Sequence, residues 1–215
     1  MRNRPNISRQ RGLHPGCASW PQKVLIIAVS VSIAGSAAQG ETMNANSALI
    51  DDLSRNPATS AVGTRWQLFT DRGMGGVSNA TMHRETVAGR PAIRMRGDVS
   101  LENNGGFVQI ALDLAADGKA MDASAWRGIE LDVFGNDEEY NIHLRTEDLT
   151  RPWQSYRQSF RADPRWRTVQ FQFQDFTPYR TDTALDARKL RRIGLVAIGR
   201  AFSADLSVGG LRYLT

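Results

Sequence analysis

Three groups of residues have the types and spacing to do chemistry. Glu130 and Asp132 stand two apart in an alternating segment. On a strand they would share one face at about 7 Å, inside the range of glycosidase carboxylate pairs. Nothing else marks them, and same-face carboxylates on a solvated strand are the ordinary explanation. Asp71-Arg72-Gly73-Met74-Gly75-Gly76 has the look of a phosphate loop. Such a loop needs a strand before it, a helix after it and usually a lysine. Here Ala80-Thr81-Met82-His83-Arg84 follows and reads as strand, so a tight β-connection with Met74 packed inward is the better reading. Glu102, Asn103 and Asn104, with Asp71, could offer oxygens to calcium, which takes about six to eight. An Asn-Gly hairpin with positive φ and capping side chains explains the same residues and is preferred. No cofactor and no metal is therefore expected.

A fourth group suggests binding. Asn141, His143 and Arg145 alternate on the polar side of one segment, and Trp153, Gln154, Tyr156 and Arg157 follow shortly. Brought together by adjacent strands, they would form a patch of aromatics, amides and arginines suited to a sugar or a protein partner. The plainer reading buries Trp153 and Tyr156 in the core and makes His143 a solvated or hydrogen-bonded surface residue. His83 and His143 lie in separate segments with no metal spacing. No Gly-x-Ser-x-Gly nucleophile motif is present. The candidate binding residues are Asp71, Asn103, Asn104, His143, Arg145, Trp153, Tyr156 and Arg157.

The elements that must position these residues are strands. Val108, Ile110 and Leu112 alternate with polar or small neighbours, as do Ile129, Leu131 and Val133; Tyr140, Ile142 and Leu144; and Val169, Phe171 and Phe173. This is the period-two signal of half-buried strands. Arg65–Phe69, Ala80–Val87, Ala92–Arg96, Ser155–Phe160, Ile193–Ile198 and Leu206–Leu214 read the same way, separated by turns such as Ala88-Gly89-Arg90-Pro91. Helical patterns are confined to Ser47–Leu53 and a short turn at Leu185–Arg192 capped by Asp182 or Thr183. About ten short alternating strands without crossover helices imply an all-β jelly-roll sandwich. The domain is expected over residues 64–215, after a spacer over residues 39–63.

The first 38 residues read as a signal peptide. Arg2, Arg4, Arg9, Arg11 and Lys23 precede an apolar run from Val24 to Ala34, and Ser36-Ala37-Ala38 resembles a cleavage site. Removing those five cations from the 27 Lys and Arg leaves 22, against 22 Asp and Glu. The net charge of +5 thus belongs to the leader, and nucleic acid is not an expected partner. The single cysteine, Cys17, also lies there. The chain after the leader has no thiol to oxidise and must stand on its apolar core. A periplasmic or secreted location follows, with no membrane span in the mature chain. An uncleaved leader acting as an anchor is the alternative, although its apolar run is short for a bilayer.

Trp66 to Ser78, with Asp71 and Met74-Gly75-Gly76, resembles the opening motif of the complex I intermediate-associated protein 30 family. Val99-Ser100-Leu101-Glu102-Asn103-Asn104-Gly105-Gly106-Phe107 is similar to its second motif, and Gly128 to Thr146 to its central hairpin. The later aromatic residues and Ile193-Gly194-Leu195 are similar to its closing strands. The resemblance implies a galactose-binding-like jelly roll. It also implies a non-enzymatic module of the kind that assists assembly of the respiratory NADH:ubiquinone oxidoreductase in mitochondria. The position four residues after Phe107, often arginine in the family, is Ala111 here, so no role of that arginine carries over. An exported chain would not meet assembly intermediates in the matrix. The expected function is an exported binding or assembly module that contacts a protein partner or ligand through a sandwich face and the two glycine-rich loops. A carbohydrate-binding module and a glycan hydrolase are the alternatives.

Overall fold

The computed structural model describes residues 48–55 and 59–215. The expected leader and its cleavage site lie outside them. Twelve strands run in chain order: β1 (Leu49–Asp51), β2 (Gln67–Thr70), β3 (Asn79–Val87), β4 (Arg90–Val99), β5 (Phe107–Asp113) and β6 (Gly128–Phe134). After them come β7 (Glu138–Thr146), β8 (Ser155–Ala162), β9 (Arg167–Gln172), β10 (Thr177–Tyr179), β11 (Leu190–Ile198) and β12 (Phe202–Leu214). They form two antiparallel sheets. The first has the order β3-β4-β12-β6-β9, with β1 also pairing to β12; the second has the order β10-β8-β7-β11-β5-β2. The fold is the expected all-β jelly-roll sandwich.

The alternation of apolar residues decides which way each sheet faces. In the second sheet Ile110, Ile142, Leu144, Ile193 and Leu195 are fully buried and meet Met95, Ile129, Leu131, Leu206 and Leu211 of the first. Removing this much apolar surface from water is the main stabilising term, at about 25 cal/mol per Å². The intervening residues project from the outer faces, and the two outer faces differ in chemistry.

Local readings needed correction where tertiary pairing overrides propensity. Leu49–Asp51 is a strand, not the helix expected over Ser47–Leu53. The thirteen-residue β12 extends past its pairing with β4, leaving an edge that β1 fills through Leu49↔Arg212 and Asp51↔Leu211. Asp51 then accepts the Trp66 indole N–H at 2.8 Å and the Leu53 N–H at 2.9 Å. The expected helix at Leu185–Arg192 shrinks to a 3-10 turn, Ala187–Lys189, whose cap is Asp186. Phe173 closes its strand in a 3-10 turn rather than extending it.

Candidate functional site

The outer face of the first sheet carries a network of its own ion pairs. Arg94 donates to both oxygens of Asp205 at 2.6 Å and to Glu85 at 3.0 Å. Arg212 pairs with Glu130 and, at 3.1 Å, with Asp132, which also accepts from Arg90 at 3.1 Å and from the Thr168 hydroxyl at 2.5 Å. Burial pushes the Asp132 pKa up, but the bonds from Arg212 and Thr168 outweigh it and hold the carboxyl below its usual range. An acid held ionised in this way donates no proton at neutral pH. Asp132 is therefore unsuited to be the general acid of a glycosidase pair, and Arg212 occupies both carboxylates.

The two glycine-rich motifs meet at Asp71. This residue opens a 3-10 turn, Asp71–Met74, and is completely buried. Its carboxylate accepts the Ser78 N–H at 3.0 Å, the Ser78 hydroxyl at 2.5 Å, the Gly106 N–H at 2.6 Å and the Phe107 N–H at 3.3 Å. Burial alone would raise its pKa, but the donors from Ser78, Gly106 and Phe107 lower it. The glycines pack against the same group. A Cβ on Gly76 would lie 2.4 Å from the Asp71 carboxyl carbon, and one on Gly105 would lie 2.5 Å from Oδ2. Asp71 is thus a buried clasp between two loops, and its oxygens are already committed to four donors. Asn103 and Asn104 take the expected positive φ, 54° and 57°, but the segment is no hairpin: it is a 3-10 turn, Glu102–Asn104, without a side-chain cap, and it joins β4 to β5 across the two sheets. Met74 does not pack inward: it is 69% exposed, because the clasp fills the interior of its turn. Among the described residues no group of three or more His, Cys, Asp or Glu is placed to hold a metal ion.

Beside this clasp, the outer face of the second sheet forms an open cleft of about 370 Å³. Its floor crosses neighbouring strands, with Gln109 on β5, Val196 on β11, His143 on β7, and Ser155 and Arg157 on β8. Gly194 supplies clearance, since a Cβ there would come within 2.8 Å of the Gln109 amide nitrogen. Asn104, Leu101 and Met74 of the glycine-rich loops form one wall; Trp153, Tyr179 and Arg180 form another. Six large apolar side chains are exposed among the described residues, and Met74, Leu101, Trp153 and Tyr179 of these border this cleft. Such clustering marks an interaction surface, whereas scattered exposure does not.

Most of the residues singled out in the sequence meet here: Asp71, Asn104, His143, Arg145, Trp153 and Arg157 all line the cleft. Asn103 is exposed in the adjoining turn. Tyr156 is a correction. It alternates with Ser155 and Arg157, so it points into the core, fully buried, and its hydroxyl donates to the Ala184 carbonyl at 3.1 Å. His143 is on the predicted face but is neither solvated nor hydrogen-bonded through Nε2. It is buried beside Arg157, its cross-strand neighbour, and Nε2 has no partner. Burial first, and Arg157 second, pull its pKa down to about 3, so the imidazole is neutral.

Arg145 acts as a brace. It donates to the carbonyls of Leu149 at 3.0 Å, Pro152 at 2.6 Å and Gln154 at 3.1 Å. Those bonds fix the loop that holds Trp153 half-exposed over the cleft. Arg157 bonds the Ser155 hydroxyl at 2.9 Å and lies 3.5 Å from the Tyr179 ring centroid. Sequence reading missed Gln109, Tyr179 and Arg180. Tyr179 sits on β10, a three-residue edge strand containing Pro178, too short to show alternation. Gln109 could have been found as an outward residue between Val108 and Ile110.

A family model, complex I intermediate-associated protein 30, matches residues 57–208. No curated protein matches the chain. Among solved structures, the chain is similar to the family 11 carbohydrate-binding module of the cellulosomal cellulase Lic26A-Cel5E of Clostridium thermocellum. The TM-score is 0.60 at 15% identity, covering 77% of this chain and 92% of that one. A family 11 module from the same organism, in complex with a β-1,3-1,4-mixed-linked tetrasaccharide, gives 0.59 at 14% identity, covering 77% and 94%. At such identities the likeness establishes the jelly-roll fold. The family match spans both glycine-rich motifs joined by Asp71 and every strand from β2 to β11, and the chain belongs to the complex I intermediate-associated protein 30 family.

Proposed function

We propose that the chain is a non-catalytic carbohydrate-binding module that receives a glycan in the cleft on the second sheet. The observation that carries this reading is Trp153: half-exposed, held by a loop that Arg145 braces through three carbonyls, and set beside the amides of Gln109, Gln154 and Asn104. An aromatic face fixed in advance, with hydrogen-bonding side chains in the same cleft, suits the apolar face and hydroxyls of a sugar. Similarity to carbohydrate-binding modules agrees with this use of the fold. The self-paired carboxylates of the first sheet support a binding role over a hydrolytic one. The leader-like sequence over residues 1–38 supports export to a compartment where polysaccharides are met.

A second reading rests on Met74 and Leu101, exposed aliphatic side chains on the glycine-rich loops. They suit a protein partner better than a sugar, as in the assembly role associated with the family name. Isothermal titration against a panel of plant and bacterial polysaccharides separates the two readings. Binding of one polysaccharide class, weakened at least tenfold in Trp153→Ala with an unchanged melting temperature, supports the carbohydrate reading. Failure of the whole panel refutes it and favours the protein partner.

A further inference from the structure

We infer that the ligand of this cleft is acidic: a glycan bearing carboxylate groups, which Arg157 and Arg180 bind while Trp153 takes a sugar face. This deepens the carbohydrate reading and rests on it.

The charge balance of the cleft is one-sided. Three arginines line it, Arg145, Arg157 and Arg180, and its one acidic lining residue is Asp71. Asp71 is fully buried and committed to four donors, so it neutralises none of the arginines by contact. Elsewhere on the sandwich, several outward arginines are paired across strands, as Arg94 is with Asp205, Arg192 with Asp113 and Arg212 with Glu130. Arg145, Arg157 and Arg180 have no carboxylate within salt-bridge distance among the described residues. Arg145 is spent on backbone carbonyls, which leaves Arg157 and Arg180.

These two cations are held close despite their repulsion. Both lie against one ring, at 3.5 Å and 5.4 Å from the Tyr179 centroid. Burial, with Arg180 as a smaller contributor, lowers the Arg157 pKa. Arg180 itself adopts a φ of 55°, a left-handed conformation unusual for a non-glycine residue, and its carbonyl accepts the Gln154 amide at 3.2 Å. A strained backbone and a fixed ring thus hold two like charges together at the edge of a cleft. An anion seated between them relieves the repulsion, and guanidinium forks match carboxylate geometry. Beneath them His143 is buried and neutral, and Nε2 lacks a partner, so the floor supplies no competing negative charge. A neutral glycan would leave this arrangement unused.

The test uses the full chain in titration calorimetry. The probes are polygalacturonate and alginate, their carboxyl-reduced neutral counterparts, and mixed-linked β-glucan. The expected result is binding of an acidic polymer at least tenfold tighter than its reduced form. That preference should weaken as salt rises, and Arg157→Gln and Arg180→Gln should each abolish it while residual binding still depends on Trp153. Arg180 is exposed, so its variant tests the idea even if Arg157→Gln folds poorly. Equal affinity for acidic and reduced polymers, or tighter binding of the β-glucan, overturns the acidic assignment and leaves the carbohydrate reading standing. No binding by any of the five overturns both.

Discussion

Replacing Asp71 with Asn removes a buried charge and turns one of its two oxygens into an amide. The carboxylate accepts through Oδ1 from the Ser78 N–H, and through Oδ2 from the Ser78 hydroxyl, Gly106 N–H and Phe107 N–H. Whichever way the new amide faces, at least one backbone N–H loses its acceptor. Bonds to a charged acceptor contribute about 1.5–3 kcal/mol each, and a stranded buried donor costs about 1–3 kcal/mol. Some bonds survive on the remaining oxygen, so the expected loss is about 3–5 kcal/mol. For a domain of this size that corresponds to a fall in melting temperature of roughly 6–20 °C. The pH dependence gives a second readout. The folded pKa is below the unfolded one, so the stabilisation is fully present above the ordinary carboxylate range and is lost as pH falls through the folded value. The difference between wild type and Asp71→Asn should therefore shrink on acidification, because only the wild type has this contribution to lose. Urea unfolding at several pH values measures it. A difference under about 1 kcal/mol at neutral pH, or one that stays constant on acidification, would refute the clasp.

The remaining predictions address the parts around that clasp. Gly76→Ala and Gly105→Ala should each destabilise by about 1–3 kcal/mol through collision with Asp71; in an Asp71→Gly background both penalties should shrink, as a double-mutant cycle by urea unfolding will show. Glu130→Gln should leave behaviour toward model glycosides unchanged, with no turnover in either form, since Arg212 occupies that carboxylate. His143→Gln should flatten stability between the ordinary histidine pKa and about 3, because the buried neutral imidazole disfavours the folded state progressively as pH falls across that interval; an unaltered slope in acid-unfolding curves would count against its burial. Arg145→Gln should free the Trp153 loop and weaken glycan binding by about tenfold, visible as increased acrylamide quenching of tryptophan fluorescence.

The strands were legible because one face of each sheet is buried and the other is not, so apolar residues recur at every second position. The same rule, applied strictly, separates Tyr156 from Arg157; grouping them by proximity in sequence lost that information. β10 was not legible because three residues with a central proline carry no period. β1 was not legible because its cause is a free edge of β12, more than 150 residues away in sequence. The histidine was placed on the right face, but its burial beside its cross-strand neighbour Arg157 is something alternation does not encode. Glycine spacing announced two tight turns. That Gly76 and Gly105 are glycines for one shared reason, the volume of the Asp71 carboxylate, required the packing.

The two outer faces of the sandwich show what distinguishes a surface that is finished from one that is not. Both carry arginines beside strand residues of similar type. On the first sheet every named guanidinium meets a carboxylate, so a ligand would have to break existing pairs before gaining its own contacts. Exposed ion pairs contribute little to stability, about 0–1 kcal/mol, but they do neutralise the surface. At the cleft on the second sheet, Arg145 and Arg157 are fixed by backbone carbonyls, a hydroxyl and an aromatic ring instead. None of those partners carries a charge. The guanidiniums are therefore positioned but not neutralised, which is the condition a pre-organised anion site requires. Asp71 contributes to that condition by its burial: it supports the loops at the cleft wall while its charge is absorbed by four donors.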